Sequence, residues 1–251
     1  MSSYTQSQSE SEFELQLIEQ LCNRGLFQRS DFEGGLADQD AQIRAPQYLS
    51  SEKFWQYERD IKSTEQLWAN FKAILDRHNQ NVLDQPLSAV EFAQVRNTIS
   101  NLSTPYQAGQ FLYGLNGVSQ IEVDLDDGRH VFLTVFDQKQ IGAGDTVYQV
   151  VNQIKRPAVI AGKENRRFDT TLLINGLPII QIEEKRDTHD VNEALNQMHQ
   201  YIDENQYHDI FSTVQILVAL TPNNVRYMAN TTSDQFNKDF AFHWQRRDDN
   251  S

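Results

Sequence analysis

Read for hydrophobic spacing, the chain falls into a helical first part and a strand-rich second part. Ser11 to Arg24 places Phe13, Leu17, Ile18 and Leu21 on one helical stripe, with Glu10 and Glu14 on or beside it and Gly25 as a stop. Residues 26–50 carry no clear period. From 51 to 110 the spacing predicts helices: Ser63 to Gln66 and Ser88 to Glu91 both have the capping-box pattern, with a loop from Asn79 to Pro86 between them. At Gln120 the period changes to two. Ile121, Val123 and Leu125 alternate, Asp126-Asp127-Gly128 turns, and Val131 to Val135 returns, which predicts a hairpin. Gly142 to Asp145 interrupts the chain, and Thr146 to Ile154 reads equally as a strand or a short helix. A second hairpin is predicted between Arg167 and Arg186 around Asn175-Gly176. Thr188 or Asp190 then caps a helix to about Glu204 with Ala194, Met198, Tyr201 and Ile202 inward. Phe211 to Leu220 is almost continuously apolar, as in a strand covered on both faces, and Val225 to Ala229 follows as another strand.

This order predicts an α/β fold with a mixed sheet flanked by helices, as one domain over residues 1–251. Composition allows it: of 251 residues, 39% are hydrophobic and 23% charged, which is globular. There is no run of about 18 apolar residues and no apolar signal core in Met1 to Glu12, so the expectation is a cytoplasmic protein without a membrane partner. Cys22 is the single cysteine, and no Cys/His spacing suggests structural zinc. Charge is more informative. The net charge of −13 repels nucleic acid, so any DNA contact must be local, and the cations Lys163, Arg166, Arg167, Lys185 and Arg186 gather where the strand signals are densest.

That region also holds the candidate chemistry. With a three-residue loop, Asn175 to Leu177, Ile174 faces Pro178 and Asp169 faces Glu183, with Lys185 on the same face. A two-residue Asn-Gly turn would separate the carboxylates onto opposite faces unless a bulge restored the register. Two opposed carboxylates repel unless a cation lies between them, and oxygen ligands suit Mg²⁺. A metal held by Asp169 and Glu183, with Lys185 to position water or stabilise phosphate charge, is the equipment of a metal-dependent nuclease. An exposed strand face with a cross-strand ion pair would use the same residue types.

Asp169, thirteen intervening residues and Glu183-Glu-Lys185 resemble the PD-(D/E)xK nuclease core, with Phe168 in place of the proline. The longer run from Arg167 to Arg186, followed by Glu193-Ala-Leu-Asn-Gln197 and Tyr201, resembles the N-terminal nuclease domain of the R subunit of type I restriction enzymes. Gln197-Met-His-Gln-Tyr201 fits that family's Gln-x-x-x-Tyr motif on one helix face. Ser9 to Glu14 is similar to the opening helix, and Val225 to Thr232 with Phe240 to Trp244 to the closing strands. The resemblance covers 9–25 and 119–250 and is weak over 26–118, so residues 51–118 are expected to be a helical insertion beside a core at 119–232.

The resemblance implies Mg²⁺-dependent endonucleolytic cleavage of double-stranded DNA. Asp169 and Glu183 would bind metal, Lys185 would assist catalysis, and Gln197 and Tyr201 would support the site or touch DNA. Glu10 or Glu14 would add an acid, Arg166 and Arg167 would contact phosphates, and the Glu184 backbone carbonyl would approach the metal. It also implies methylation (M) and specificity (S) subunits as partners, with cleavage after ATP-driven translocation by motor domains not found here. Gly162-Lys163 is followed by Glu164 and lacks the upstream glycine of a nucleotide-binding loop, so ATP would enter only through those domains and the chain is expected to be an N-terminal fragment. A non-catalytic docking module of the same complex, or a stand-alone nuclease, are the alternatives. His189, His199 and His208 are expected to be surface or satisfied residues, and Trp55, Trp68 and Trp244 to anchor packing.

Overall fold

A computed structural model describes residues 9–23, 55–141 and 146–243. Gly25, the stretch 26–50, the Gly142 to Asp145 interruption and Trp244 lie outside the described residues. Helix α1 (Glu10–Asn23) precedes β1 (Gln56–Tyr57), and α2 (Thr64–His78), α3 (Ala89–Ser100) and α4 (Pro105–Tyr113) follow. Next come β2 (Val118–Asp124), β3 (His130–Asp137), β4 (Tyr148–Arg156), β5 (Arg166–Ile174), β6 (Leu177–Glu184), α5 (Val191–Asp203), β7 (Ile216–Thr221), β8 (Asn224–Ala229) and β9 (Phe242–His243). The expectation of helix from residue 51 needs correction, because Gln56 and Tyr57 pair in parallel with β4. The ambiguous stretch from Thr146 to Ile154 resolves as strand from Tyr148 onward. The apolar run at 211 starts in a 3₁₀ turn, Asp209–Thr213, and becomes strand only at Ile216.

Among the described residues seven strands form one mixed sheet in the order β1-β4-β5-β6-β7-β8-β9. β1 and β4 are parallel, as are β6 and β7, and the remaining neighbours are antiparallel. Parallel β6 and β7 require a crossover, and α5 supplies it. The first hairpin, β2 and β3, forms a separate two-stranded ribbon. Val150 and Val151 show the two-sided burial: adjacent residues of one strand point oppositely, and each joins a different apolar cluster. The larger cluster unites α2, α3, α5, the ribbon and one sheet face, with Trp68, Phe71, Phe92, Phe168 and Phe211 inside it. The smaller, Ile18 with Val150, Leu172 and Ile182, lies under α1. Trp55 packs edge-on against Tyr148 at 5.4 Å between ring centres.

Helix ends obey their local chemistry. Ser88 and Glu91 close a complete capping box. Ser63 accepts from the Gln66 N–H, but the Gln66 side chain turns to the Lys62 N–H, so that box is only half made. Asp190, rather than Thr188, caps α5 by accepting from the Asn192 N–H.

The β5–β6 turn sets the register on which the chemistry depends, and it departs from the three-residue loop. Ile174 pairs with Leu177, so the loop is the two residues Asn175 and Gly176, with φ of 51° and 82°, as a type I′ turn requires. A bulge then follows: Leu173 pairs with Pro178 but Leu172 with Ile180, leaving Ile179 as the extra residue. That one residue restores the side-chain alternation that the short turn would have inverted. The turn is also clamped. The Asn175 side chain bonds the Val147 N–H and Val135 carbonyl, and a Cβ at Gly176 would lie 2.9 Å from the Phe71 Cα. Gly176→Ala is therefore expected to lower unfolding stability by ~2 kcal/mol, measured by urea denaturation, from left-handed backbone strain and this backbone contact.

Candidate functional site

The last antiparallel rung between β5 and β6 is Thr170 with Ile182, and one step further sets Asp169 beside Glu183. On the other side of β5, Asp169 falls between the rungs Asn152–Thr170 and Ile154–Phe168, next to Gln153 of β4. Glu183 is fully buried. Its Oε1 receives the Tyr201 hydroxyl and the Lys185 ammonium, each at 3.4 Å, while its Oε2 is buried without a hydrogen-bond partner. Gln197 donates to the Tyr201 hydroxyl at 2.5 Å, so the i, i+4 pair on α5 supports Glu183 from behind. Asp169 Oδ2 accepts the Glu184 backbone N–H at 3.1 Å.

Lys185 completes the centre. Its Nζ lies 3.4 Å from Glu183 Oε1, 3.0 Å from the Glu184 carbonyl and 3.5 Å from Glu10 Oε1. The ammonium thus gathers two carboxylates and a backbone carbonyl around one positive charge. Burial works against that charge, yet Glu183, Asp169 and Glu10 outweigh it and raise the lysine pKa. Burial also raises Asp169, opposed by the Glu184 N–H and Lys185. Glu183 is pushed well up by burial and then by the charge of Asp169. Adjacent Glu184 is buried too, lies toward α1 where Glu14 and Glu10 act on it, and is pushed up to about 8, chiefly by burial. Thr170 opposes that shift, and neither carboxylate oxygen of Glu184 makes a well-formed hydrogen bond among the described residues.

The two candidate acids of α1 are placed differently. Glu10 is part-exposed and touches Lys185. Glu14 is buried, accepts from Gln153 Nε2 at 2.6 Å, and has its pKa raised by burial, with a further contribution from Asp169. The arginines part as well. Arg166 forks onto the buried carboxylate of Glu204 at 2.5 and 2.6 Å, whereas Arg167 is exposed. His189 and His199 pair with Glu193 and Asp203 on α5, and His208 faces Arg156.

Several participants were not foreseen from sequence. Gln153 holds φ of 57° within a central strand, a left-handed conformation costing on the order of 1–3 kcal/mol, and does so beside Asp169 while bonding Glu14. Lys62 reaches the backbone carbonyl and side chain of Asn152, and Tyr57 bonds the same amide. Arg156 is almost completely buried, donates to the Gln206 carbonyl and Thr64, and lies over Phe211 at 4.7 Å and Phe168 at 5.8 Å. It thereby packs behind the strand carrying Asp169. Periodicity gives no signal for any of these residues, since each contact joins distant segments.

Among the described residues no three acidic, histidine or cysteine side chains converge on one point. An ion at this centre would be held by Asp169 and Glu183, completed by carbonyl and water, which is how Mg²⁺ is commonly bound.

The family model for the type I restriction enzyme R protein N terminus matches residues 7–236. The chain belongs to that family. Among its relatives, a type I restriction enzyme endonuclease subunit of Staphylococcus aureus strain MSSA476 is 31% identical over 196 residues, 77% of this chain and 20% of the relative. The corresponding subunit of Staphylococcus saprophyticus is 29% identical over 191 residues, 76% of this chain and 19% of its own length. The EcoprrI endonuclease subunit of Escherichia coli is 36% identical over 126 residues, 49% of this chain and 38% of the relative. The chain therefore spans about a fifth of the length of the staphylococcal relatives. No helix among the described residues is long and apolar enough to cross a membrane.

Proposed function

We propose that this chain carries the nuclease centre of a type I restriction enzyme R subunit, with a PD-(D/E)xK site that cuts double-stranded DNA with Mg²⁺. The observation that carries the reading is the meeting of Asp169, Glu183 and Lys185 at the β5–β6 edge, inside a family whose relatives are named endonuclease subunits. The donor set fits a hard divalent ion. Glu183 Oε2 is buried without a partner, Asp169 uses one oxygen on a backbone N–H, and Lys185 already stands as a cation against Glu183 and the Glu184 carbonyl. Asp169 and Glu183 would hold the ion, with the Glu184 carbonyl beside them.

When bound, Mg²⁺ supplies the charge that polarises a phosphodiester and acidifies water. Lys185 carries a second positive charge to the same point; it orients the attacking water and stabilises the charge that develops on phosphate. Tyr201 and Gln197 hold Glu183 in place, and burial of the pair strengthens every electrostatic contact made there. Glu10 lies against the lysine and Glu14 beside Gln153, so each adds negative charge near the centre. In this reading ATP-driven translocation belongs to motor domains elsewhere in the full-length subunit, and the methylation and specificity subunits choose the DNA.

The test is cleavage of duplex DNA by the reassembled complex carrying Asp169→Asn, with and without a chelator. Loss of cleavage in the variant, and in the native enzyme when metal is withdrawn, supports the reading. Full cleavage by the variant overturns it.

A further inference from the structure

The loop joining β4 to β5, residues 157–165, rises from the edge of the candidate centre; it is itself neutral, with Lys163 beside Glu164, and the strand ends that carry it are cationic in this otherwise acidic chain. At its base Lys155 pairs directly with Arg167 across the antiparallel ladder. Like charges in that arrangement repel, with Cβ atoms about 4.5–5.5 Å apart. Both residues are exposed, and neither forms an ion pair among the described residues. The next rung is also cationic on both strands, but there Arg156 turns into the core and Arg166 is taken by Glu204. Lys163, exposed and without an ion pair among the described residues, adds a third cation near the top of the loop, where its charge also reaches Glu204. Between these cations Val159 and Ile160 stand 40% and 42% exposed, just before the turn at Gly162, where φ is 83°.

We propose that this loop is the grip on duplex DNA: Lys155, Lys163 and Arg167 neutralise phosphates, and the Val159–Ile160 tip enters the groove as an apolar wedge. The inference rests on the nuclease reading above and adds to it the surface by which a chain of net charge −13 can hold a polyanion. Distance supports the pairing of grip and centre. Arg167 precedes Asp169 by two residues, about 7 Å along the strand, so phosphates held there are neighbours of the phosphate at the carboxylates. The uncompensated Lys155–Arg167 contact opposes folding of the free chain and would be relieved by an anion between them. Exposed aliphatic side chains beside phosphate-binding cations are how architectural proteins open a base step.

The experiment is anisotropy titration of a labelled duplex of about two helical turns with the 251-residue chain over a range of salt, in calcium to avoid cleavage. Circular dichroism checks the folding of each variant. Together Lys155→Gln, Lys163→Gln and Arg167→Gln should weaken binding on the order of a hundredfold at about 100 mM salt and reduce the slope of log affinity against log salt by roughly 0.9 per cation removed. Lys155→Arg with Lys163→Arg should keep the native slope. Val159→Ser with Ile160→Ser should weaken binding several-fold without changing the slope, because no phosphate contact is lost. Native slope and affinity in the triple glutamine variant, or no salt-dependent binding by the native chain at low salt, overturn the proposal. So does a triple variant that keeps DNA binding but no longer joins the other subunits, since the loop would then be a protein contact. Failure of the nuclease reading is separate: Asp169→Asn would still cut, whatever the loop variants do.

Discussion

Lys185→Ala in the full-length subunit, reassembled into its complex, is expected to lower DNA cleavage by roughly a hundred- to a thousandfold, the cost of losing one preorganised charge aimed at a transition state. ATP hydrolysis measured in the same reaction should continue. The lysine is committed to the proposed nuclease centre: its ammonium contacts Glu183, Glu10 and the Glu184 carbonyl, and its side chain is 15% exposed. Removing it leaves part-buried Asp169 and buried Glu183 as adjacent carboxylates without their organic counter-ion, so their protonation should be favoured further. A divalent ion could still bind, but the charge that meets the developing phosphate charge would be gone. Cleavage that survives the substitution would place the chemistry elsewhere and leave this domain a scaffold; joint loss of cleavage and ATP turnover would point to failed assembly instead.

In metal-free buffer, the chain should lose stability as the pH rises from about 4.5 to 8, and Glu184→Gln should remove much of that loss. Burial pushes Glu184 up to about 8 in the fold, against 4.5 as its ordinary value. Between those values the folded state binds the proton that the unfolded chain releases, so folding is favoured at the acid end and weakens as pH rises through the window. A difference of this size corresponds to ~4–5 kcal/mol at pH 8 for a group with no solvent exposure. Glu183 shifts in the same direction and steepens the fall. Glu204 and Glu91 shift oppositely, lowered by hydrogen bonds from Arg166 and from the Asp126 backbone respectively, so their stabilisation is present above their unfolded values and is lost as pH falls below about 4. Urea denaturation of native and Glu184→Gln chains across this range distinguishes the cases. Parallel profiles would show that the buried site does not hold Glu184 protonated.

The helical and strand-rich parts, the two hairpins, the crossover helix and its inward stripe were legible because they are short-range patterns. A period of two or 3.6 needs only the local backbone and a core to face. The charged trio was legible for a related reason: Asp169, Glu183 and Lys185 sit on one hairpin, so pairing arithmetic over few residues brings them together. Even there the arithmetic assumed a three-residue loop. The type I′ turn plus the Ile179 bulge reaches the same opposition by another route, chosen because Asn175 and Gly176 accept positive φ and α2 presses on Gly176.

By itself, then, the sequence determined the elements, the hairpin that carries the candidate chemistry and the family. Tertiary structure decided everything that joins segments far apart in the chain: Glu10 on Lys185, Glu14 on a strained Gln153, Arg166 drawn onto Glu204 while Arg167 stays free, and Arg156 buried behind Phe168. The physical reason is that a charged side chain has no intrinsic destination. Its partner, its burial and its protonation are set by the field and the solvent access of the assembled fold, and those exist only once distant segments have packed.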